Sequence, residues 1–507
     1  MFYKKKTTQL PIFKEKRLKL DCNLGSNINY DEDANNIIEG KPRLNVNFKS
    51  ENGSLTSSSG LRYLVLPTSQ STSDTCTRSL NYSALGGSAF IKIWRYKYYS
   101  TVNSKYMYML IAYMSDKKLY YCNVFGADTN FHLIGNYTFN TTPTSIMFRV
   151  NGQDVIAFCA PNTNMLVWYC DSAPYQVSTA PTFLSICLHE GRLFAIDASK
   201  TNLVRYSSNT NPLDWTADDS SVDGAGEIDL GLTKGENKVV FSFLGNVYVF
   251  NEYGIFKISS YSNSSKFVVS QVFSTTSRIY TETAVVSGEN IFFLSCDGFY
   301  KFDGYKVEKI DLKISKLLFS QLQKYINTCA FENKIFIACR LDFGDGNDGS
   351  NSRHNNAMIE YNIESKSVVV HRSNDILCMY PLQDLLLSKL VCIAYDFAGT
   401  TDKYLFEVCD PSETLFVKKK IWQSGKITLG DKSKLKILKK INLHLNCENM
   451  SVVFTSDKGS KTFSLSGINV YKAIDVNLPG HEFEVKFESN EGLVIITSPE
   501  LIFNVEA

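Results

Sequence analysis

Histidine is scarce in this chain: 6 of 507 residues, at His132, His189, His354, His371, His444 and His481, with no HxH or HExxH spacing. Zinc needs ligands that converge at fixed intervals, so a zinc centre is not expected. A GxSxG elbow and a Walker A lysine are missing too, since Leu230-Gly231-Leu232-Thr233-Lys234-Gly235 lacks the glycine spacing of a phosphate loop. Charge of one sign is not in excess. Lys+Arg 53 against Asp+Glu 51 leaves +2, which excludes the basic footprint of a dedicated nucleic-acid binder. The longest apolar run, 106–114, is too short to cross a bilayer, and Gln383, Asp384 and Lys389 interrupt the run at 378–395, so no membrane-spanning segment is expected. No apolar stretch follows Lys4, Lys5 and Lys6, so a signal peptide is not expected and the chain is expected to begin at Met1. CxxC pairs are absent, and most of the 13 cysteines sit in apolar runs such as Ala157-Phe158-Cys159. They read as buried free thiols made in a reducing compartment.

What is present is β grammar. Hydrophobic residues make up 44% and aromatics 13%, enough for a sizeable core. Short β-branched and aromatic runs are punctuated by turns containing Gly or Asn, as in 145–150, Asn151-Gly152, 154–159 and 165–170. The same three-strand unit returns around Gly191, Gly245, Gly288 and Asn333, and weaker copies flank these at 90–114 and 390–409. The turns recur at about 40 to 50 residues, the period of propeller blades. Radial stacking lets each small sheet bury both faces, so the expected fold is all-β: a β-propeller of about six or seven blades over 61–415. A β-sandwich is the competitor, but sandwich strands do not usually recur as three-strand groups at one spacing. The apolar spacing in 312–325 predicts one helix between blades.

After Asp410-Pro411 the texture changes. In 434–446, Leu435, Ile437, Ile441, Leu443 and Leu445 alternate with Lys434, Lys436, Lys440, Asn442, His444 and Asn446, broken around Leu438-Lys439; 481–488 alternates as well. A C-terminal β-sandwich-like domain is expected over 416–507. The polar first 60 residues read as an extended N-terminal arm that docks on the propeller or on a neighbour. The cluster from Lys418 to Lys440 reads either as a phosphate-touching stripe or as a solvated strand face.

No catalytic, cofactor-binding or metal-binding residue emerges, and an enzyme is not expected. The loop Asp342-Phe343-Gly344-Asp345-Gly346-Asn347-Asp348-Gly349 has the oxygens calcium favours but misses the EF-hand order. Ser295-Cys296-Asp297-Gly298 and Ser221-Val222-Asp223-Gly224 are near misses to the Ser-x-Asp-x-Gly-x-x-Trp box of sialidase propellers. A carboxylate pair for glycan cleavage, or a glycan-binding propeller for host attachment, stays open as the alternative.

The segment 191–258 carries Gly191-Arg192-Leu193-Phe194, Asn211-Pro212-Leu213-Asp214-Trp215, Gly226-Glu227-Ile228-Asp229 and Leu244-Gly245-Asn246-Val247-Tyr248-Val249-Phe250. Further on stand Trp422-Gln423-Ser424-Gly425 and Leu478-Pro479-Gly480. This pattern resembles the propeller core of bacteriophage tail hub, nozzle and head-stabilisation proteins. The resemblance implies a structural virion protein of the tail, synthesised in the host bacterial cytoplasm. It implies a ring homo-oligomer, a hexamer, below the portal and adaptor proteins, through which double-stranded DNA passes and to which tail fibres or spikes attach. Asp214, Trp215 and Trp422 are the candidate assembly or loop-anchor residues, and near-neutral charge suits a channel that must not hold DNA.

Overall fold

The computed structural model describes residues 13–20, 37, 39–51, 53–70, 76–82, 88–218, 220–231, 234–259, 267–312, 314, 318, 325–341, 355–384, 387–395, 403–414 and 418–506. From residue 90 onward, five four-stranded antiparallel sheets follow one another: blade 1 (90–133), blade 2 (144–176), blade 3 (183–229), blade 4 (237–274) and blade 5 (279–310). A seven-stranded sheet then holds two more, blade 6 (327–372) and blade 7 (376–409), which share the strand Val368–Asp384; five plus two gives seven blades. The ring is closed by a strand from far upstream. Gly60–Tyr63 pairs with Lys403–Cys409 as the outermost strand of blade 7, in the register Phe406↔Tyr63, Glu407↔Arg62 and Val408↔Leu61.

Alternation along each strand explains the ring. In blade 1, Leu110, Ala112 and Met114 face Val391 and Ile393 of blade 7, while Met109, Ile111 and Tyr113 face Ile156 and Phe158 of blade 2. Val155, Ala157 and Cys159 of blade 2 then meet Leu193 and Ala195 of blade 3. Phe194 and Ile196 meet Val247 and Val249 of blade 4, whose Tyr248 and Phe250 meet Ile291 and Phe293 of blade 5. Phe292 and Leu294 meet Ile335 and Ile337 of blade 6, and Phe336 and Ala338 meet Cys392 and Ala394 of blade 7. Both faces of every blade are therefore buried, which is why the central strands read as unbroken apolar runs. The turns after the innermost strands fit the same scheme. Asn151 and Gly152 have φ 49° and 79°, and Glu190 and Gly191 have φ 45° and 85°. Two successive left-handed residues make the tight hairpin turn that matches strand twist, and glycine takes the second position without steric cost.

The described strands of the expected arm dock by pairing into the C-terminal sheet. Phe13–Lys19 and Ser54–Ser57 pair with Ile495–Glu506, Pro42–Val46 pairs with Lys420–Ser424, and Phe48–Glu51 pairs with Ser54–Ser57. These strands belong to the C-terminal sheet, and Phe48 and Leu55 are fully buried in its core. The propeller is thus an insertion between the two parts of one unit. That unit is a single nine-stranded sheet, curled and nearly closed. Its long strand Lys436–Ser456 pairs with Ile495–Glu506 along its first half and with Phe483–Ser489 along its second, with register shifts at Leu445/Cys447 and Cys447/Met450 against Gly459–Gly480. Such bulges turn a strand from one layer into the next, and this gives the sandwich-like packing from one sheet. The rings of Phe483 and Phe503 meet in the enclosed core, with centroids 5.2 Å apart.

A bulge also corrects the expected face of one lysine. The register shift between Leu438 and Lys440 puts Lys436 and Leu438 on the same side as Ile441, Leu443 and Leu445, so Lys436 is buried and Ile437 is not. Most of the expected helix, and the whole of the Asp342–Gly349 loop, lie outside the described residues. Within them, the Leu318 amide donates to the Ile314 carbonyl at 3.0 Å, one helical bond, and Leu312, Ile314 and Leu318 fill the core between blades 5 and 6. Every described cysteine is a free thiol.

Candidate functional site

The polar side chains that stand out in this fold are buried ones, some where the ring closes or the two units meet and others within a single blade or unit. At the ring closure, Glu407 is 2% exposed and takes ion pairs from Arg62 on the incoming strand and from Lys389 on the neighbouring one. Arg62 also reaches Glu413 at 2.7 Å, and Lys389 donates to the Val65 carbonyl at 2.9 Å. A carboxylate between two cations is stable only while both remain, so this trio binds the closing strand to the blade.

The two units meet at Asn47. Its amide donates to the Val370 carbonyl at 3.3 Å, its Nδ2 donates to the Lys419 carbonyl at 2.7 Å, and its Oδ1 accepts from the Arg372 amide at 2.7 Å. Asn47 is left-handed, φ 58°, at the step between two strands, a conformation that asparagine tolerates better than other side chains. On blade 6, His371 Nε2 and Glu360 Oε2 lie 2.8 Å apart, and Lys334 pairs with the same carboxylate at 2.5 Å. Burial works to raise the Glu360 pKa. Its hydrogen bonds and charge interactions with His371 and Lys334 outweigh it and bring it down to about 2.

The sequence candidates fall in two different cores. Trp215 is buried between blades 2 and 3 against Phe183, with ring centroids 4.6 Å apart. Asp214 caps its own loop, its Oδ1 accepting from the Thr216 amide at 3.0 Å. Trp422 is fully buried in the nine-stranded unit beside Phe487, at 5.4 Å. Both indoles are enclosed by their own chain. A further residue, Arg192, organises the same loop as Trp215: Nη1 donates to the carbonyls of Ser207 (3.1 Å) and Gly224 (2.6 Å), and Nη2 to that of Val222 (2.7 Å). The Arg-Leu-Phe motif was visible in the sequence, but not the carbonyls it would gather, because they lie 15 to 32 residues away.

The lysine stripe is not a bare cationic face. Lys419 pairs with Glu488 at 2.7 Å, Lys426 with Glu482 at 2.9 Å and Lys440 with Asp475 at 3.4 Å. Lys436 spends its ammonium on the carbonyls of Asp431, Lys434 and His481, and burial lowers its pKa. A cleft of about 450 Å³ lies between blades 5 and 6, floored by Phe292 and Tyr361. Its rim charges are largely spent as well: Lys301 pairs with Glu308, and Lys309 donates to the Asp297 carbonyl. Among the described residues no cluster of three metal-ligating side chains forms, and no helix is long and apolar enough to cross a membrane.

No family model matches this sequence, and no curated protein matches it. Solved structures match in part. One is PorZ, a surface component of the type-IX secretion system of Porphyromonas gingivalis, at 13% identity over 73% of this chain and 46% of that one, TM-score 0.36. Another is a catalytically inactive virginiamycin B lyase from Staphylococcus aureus, at 8% identity over 69% of this chain and 99% of that one, TM-score 0.39. A third is the AfRom2 CNH domain, at 10% identity over 52% of this chain and 93% of that one, TM-score 0.28. This chain spans under half the length of PorZ. The architecture stated above rests on strand pairing within the chain, and these likenesses add no function to it.

Proposed function

We propose that this protein is a building block rather than a catalyst: a structural component of a bacteriophage tail hub or nozzle, made in the host cytoplasm and carried in the virion. In this reading copies form a ring, a hexamer, below the portal and adaptor proteins, DNA passes along the axis, and fibres or spikes attach outside. The observation that supports it is the use of buried charge. Glu407, Glu360, Arg192 and Lys436 all hold one strand, blade or loop to another. A closed propeller has few open strand edges and carries variable loops on a rigid frame, which suits a subunit that must assemble without aggregating. The test is cryo-electron microscopy of intact particles encoding the chain, with the mass of the purified protein measured in parallel. Seven-bladed density repeated around the tail axis supports the proposal. A monomer absent from particles overturns it.

A further inference from the structure

Between the closing strand and blade 1 the chain makes a short excursion, Val65–Pro67 paired with Thr77–Ser79, which joins no blade sheet. This ribbon lies across the seam between the last blade and the first. Leu64, Leu66 and Leu80 are buried there with Phe90 and Ile93 of blade 1 and Leu382, Val391 and Leu405 of blade 7. It is tied to both sides: the Leu64 amide donates to Leu405, and the Asn81 amide to Thr129.

In its middle sits Arg78, 8% exposed and opposite Leu66. Nη2 donates to the Asn123 carbonyl and approaches the Cys122 sulfur at 3.7 Å. Nε and Nη1 are buried and have no hydrogen-bond partner, and among the described residues no carboxylate pairs with the guanidinium. Burying a charge is tolerated when an opposite charge and full hydrogen bonding compensate, as they do for Glu407 a short way along the same seam; here one carbonyl and one thiol stand in for both.

We propose that the ribbon formed by Val65–Pro67 and Thr77–Ser79 is a clasp whose closed state is held only marginally because of Arg78, so that it lifts from the seam while the blades stay folded. Three leucines favour closure and the guanidinium opposes it. Lifting hydrates the guanidinium but leaves the strand Gly60–Tyr63 paired in blade 7. The clasp is then of lower local stability than the blades it covers, and the first-to-last blade seam has a removable cover. This inference does not depend on the tail reading.

Hydrogen exchange of the full chain, followed by mass spectrometry, tests it. Ribbon amides, such as that of Thr68 bonded to Cys76, are expected to exchange at least 100-fold faster than amides of 155–160 in blade 2. In Arg78→Met, an apolar replacement of similar length, ribbon exchange is expected to slow at least tenfold with blade 2 unchanged. Arg78→Gln, which removes the charge but keeps a donor for Asn123, is expected to slow it in the same direction and covers the case in which the methionine variant does not fold. Ribbon exchange as slow as that of the blades in the unaltered chain, or unchanged in a folded neutral variant, overturns the proposal.

Discussion

Arg62 and Glu407 are partners twice over, neighbours in the register of the last strand pair and joined guanidinium to carboxylate. The backbone ladder that closes the propeller and the ion pair that secures it involve the same two residues. Replacing Arg62 by Met leaves a buried carboxylate with Lys389 as its remaining cation. Stability is expected to fall by about 2–4 kcal/mol, read as a lower urea midpoint. Replacing all three, Arg62→Met with Lys389→Met and Glu407→Met, is expected to restore most of the loss, since the cost lies in the unpaired charge.

The Glu360 carboxylate gives a pH signature. Its folded pKa, about 2, lies below its ordinary value of 4.5, so the folded state binds this proton less readily than the unfolded state. The stabilisation is fully present above pH 4.5 and is lost as the pH falls towards 2, on the order of 3 kcal/mol in total. Denaturation midpoints measured between pH 5 and 2.5 are expected to fall less steeply for Glu360→Gln. Equal slopes for the two proteins would count against this assignment.

Trp215 separates anchoring from assembly. Trp215→Ala empties a site between blades 2 and 3 and is expected to cost about 3–5 kcal/mol in thermal or urea unfolding. Asp214→Ala removes a loop cap and is expected to cost about 1 kcal/mol. Light scattering is expected to give the same mass for all three proteins wherever they remain folded.

At Asn47 two effects can be divided. Asn47→Gly keeps the left-handed backbone free of strain but loses the bonds to Lys419 and Arg372, and is expected to cost about 1–2 kcal/mol. Asn47→Ala loses the same bonds and strains the backbone, adding about 1 kcal/mol. Comparing the urea midpoints of the two variants reads the difference.

The blades were legible because each buries both faces, so that runs such as Ile291–Leu294 and Ile335–Cys339 stand out between turns at a steady interval. Their number was blurred at the end of the ring, where Val368–Asp384 serves two blades and Gly60–Tyr63 arrives from some 345 residues upstream. Local patterning says that a strand exists, not which strand it will pair with. Among the first 60 residues, Leu44, Val46 and Phe48 do alternate with Arg43, Asn45 and Asn47, but the run is short and Leu55 stands alone, so only their long-range partners show that Phe48 and Leu55 are core. The inward turn of Lys436 depends on a one-residue bulge, which leaves the alternation readable but inverts its sense. Trp215 and Trp422 were visible as candidates, whereas the charges that pin the seams became readable only once distant strands had met.

Because the nine-stranded unit is assembled from strands on either side of the inserted propeller, its maturation has a fixed order during translation. Residues 42–57 emerge before the propeller but cannot find Lys420–Ser424 or Ile495–Glu506 until after it has been made. The ring between them can close as soon as residues 403–409 are made. A nascent chain therefore carries its circular portion complete while the enclosing unit still waits for Ile495–Glu506, and a chain cut short between residues 410 and 494 yields a finished wheel without its mount.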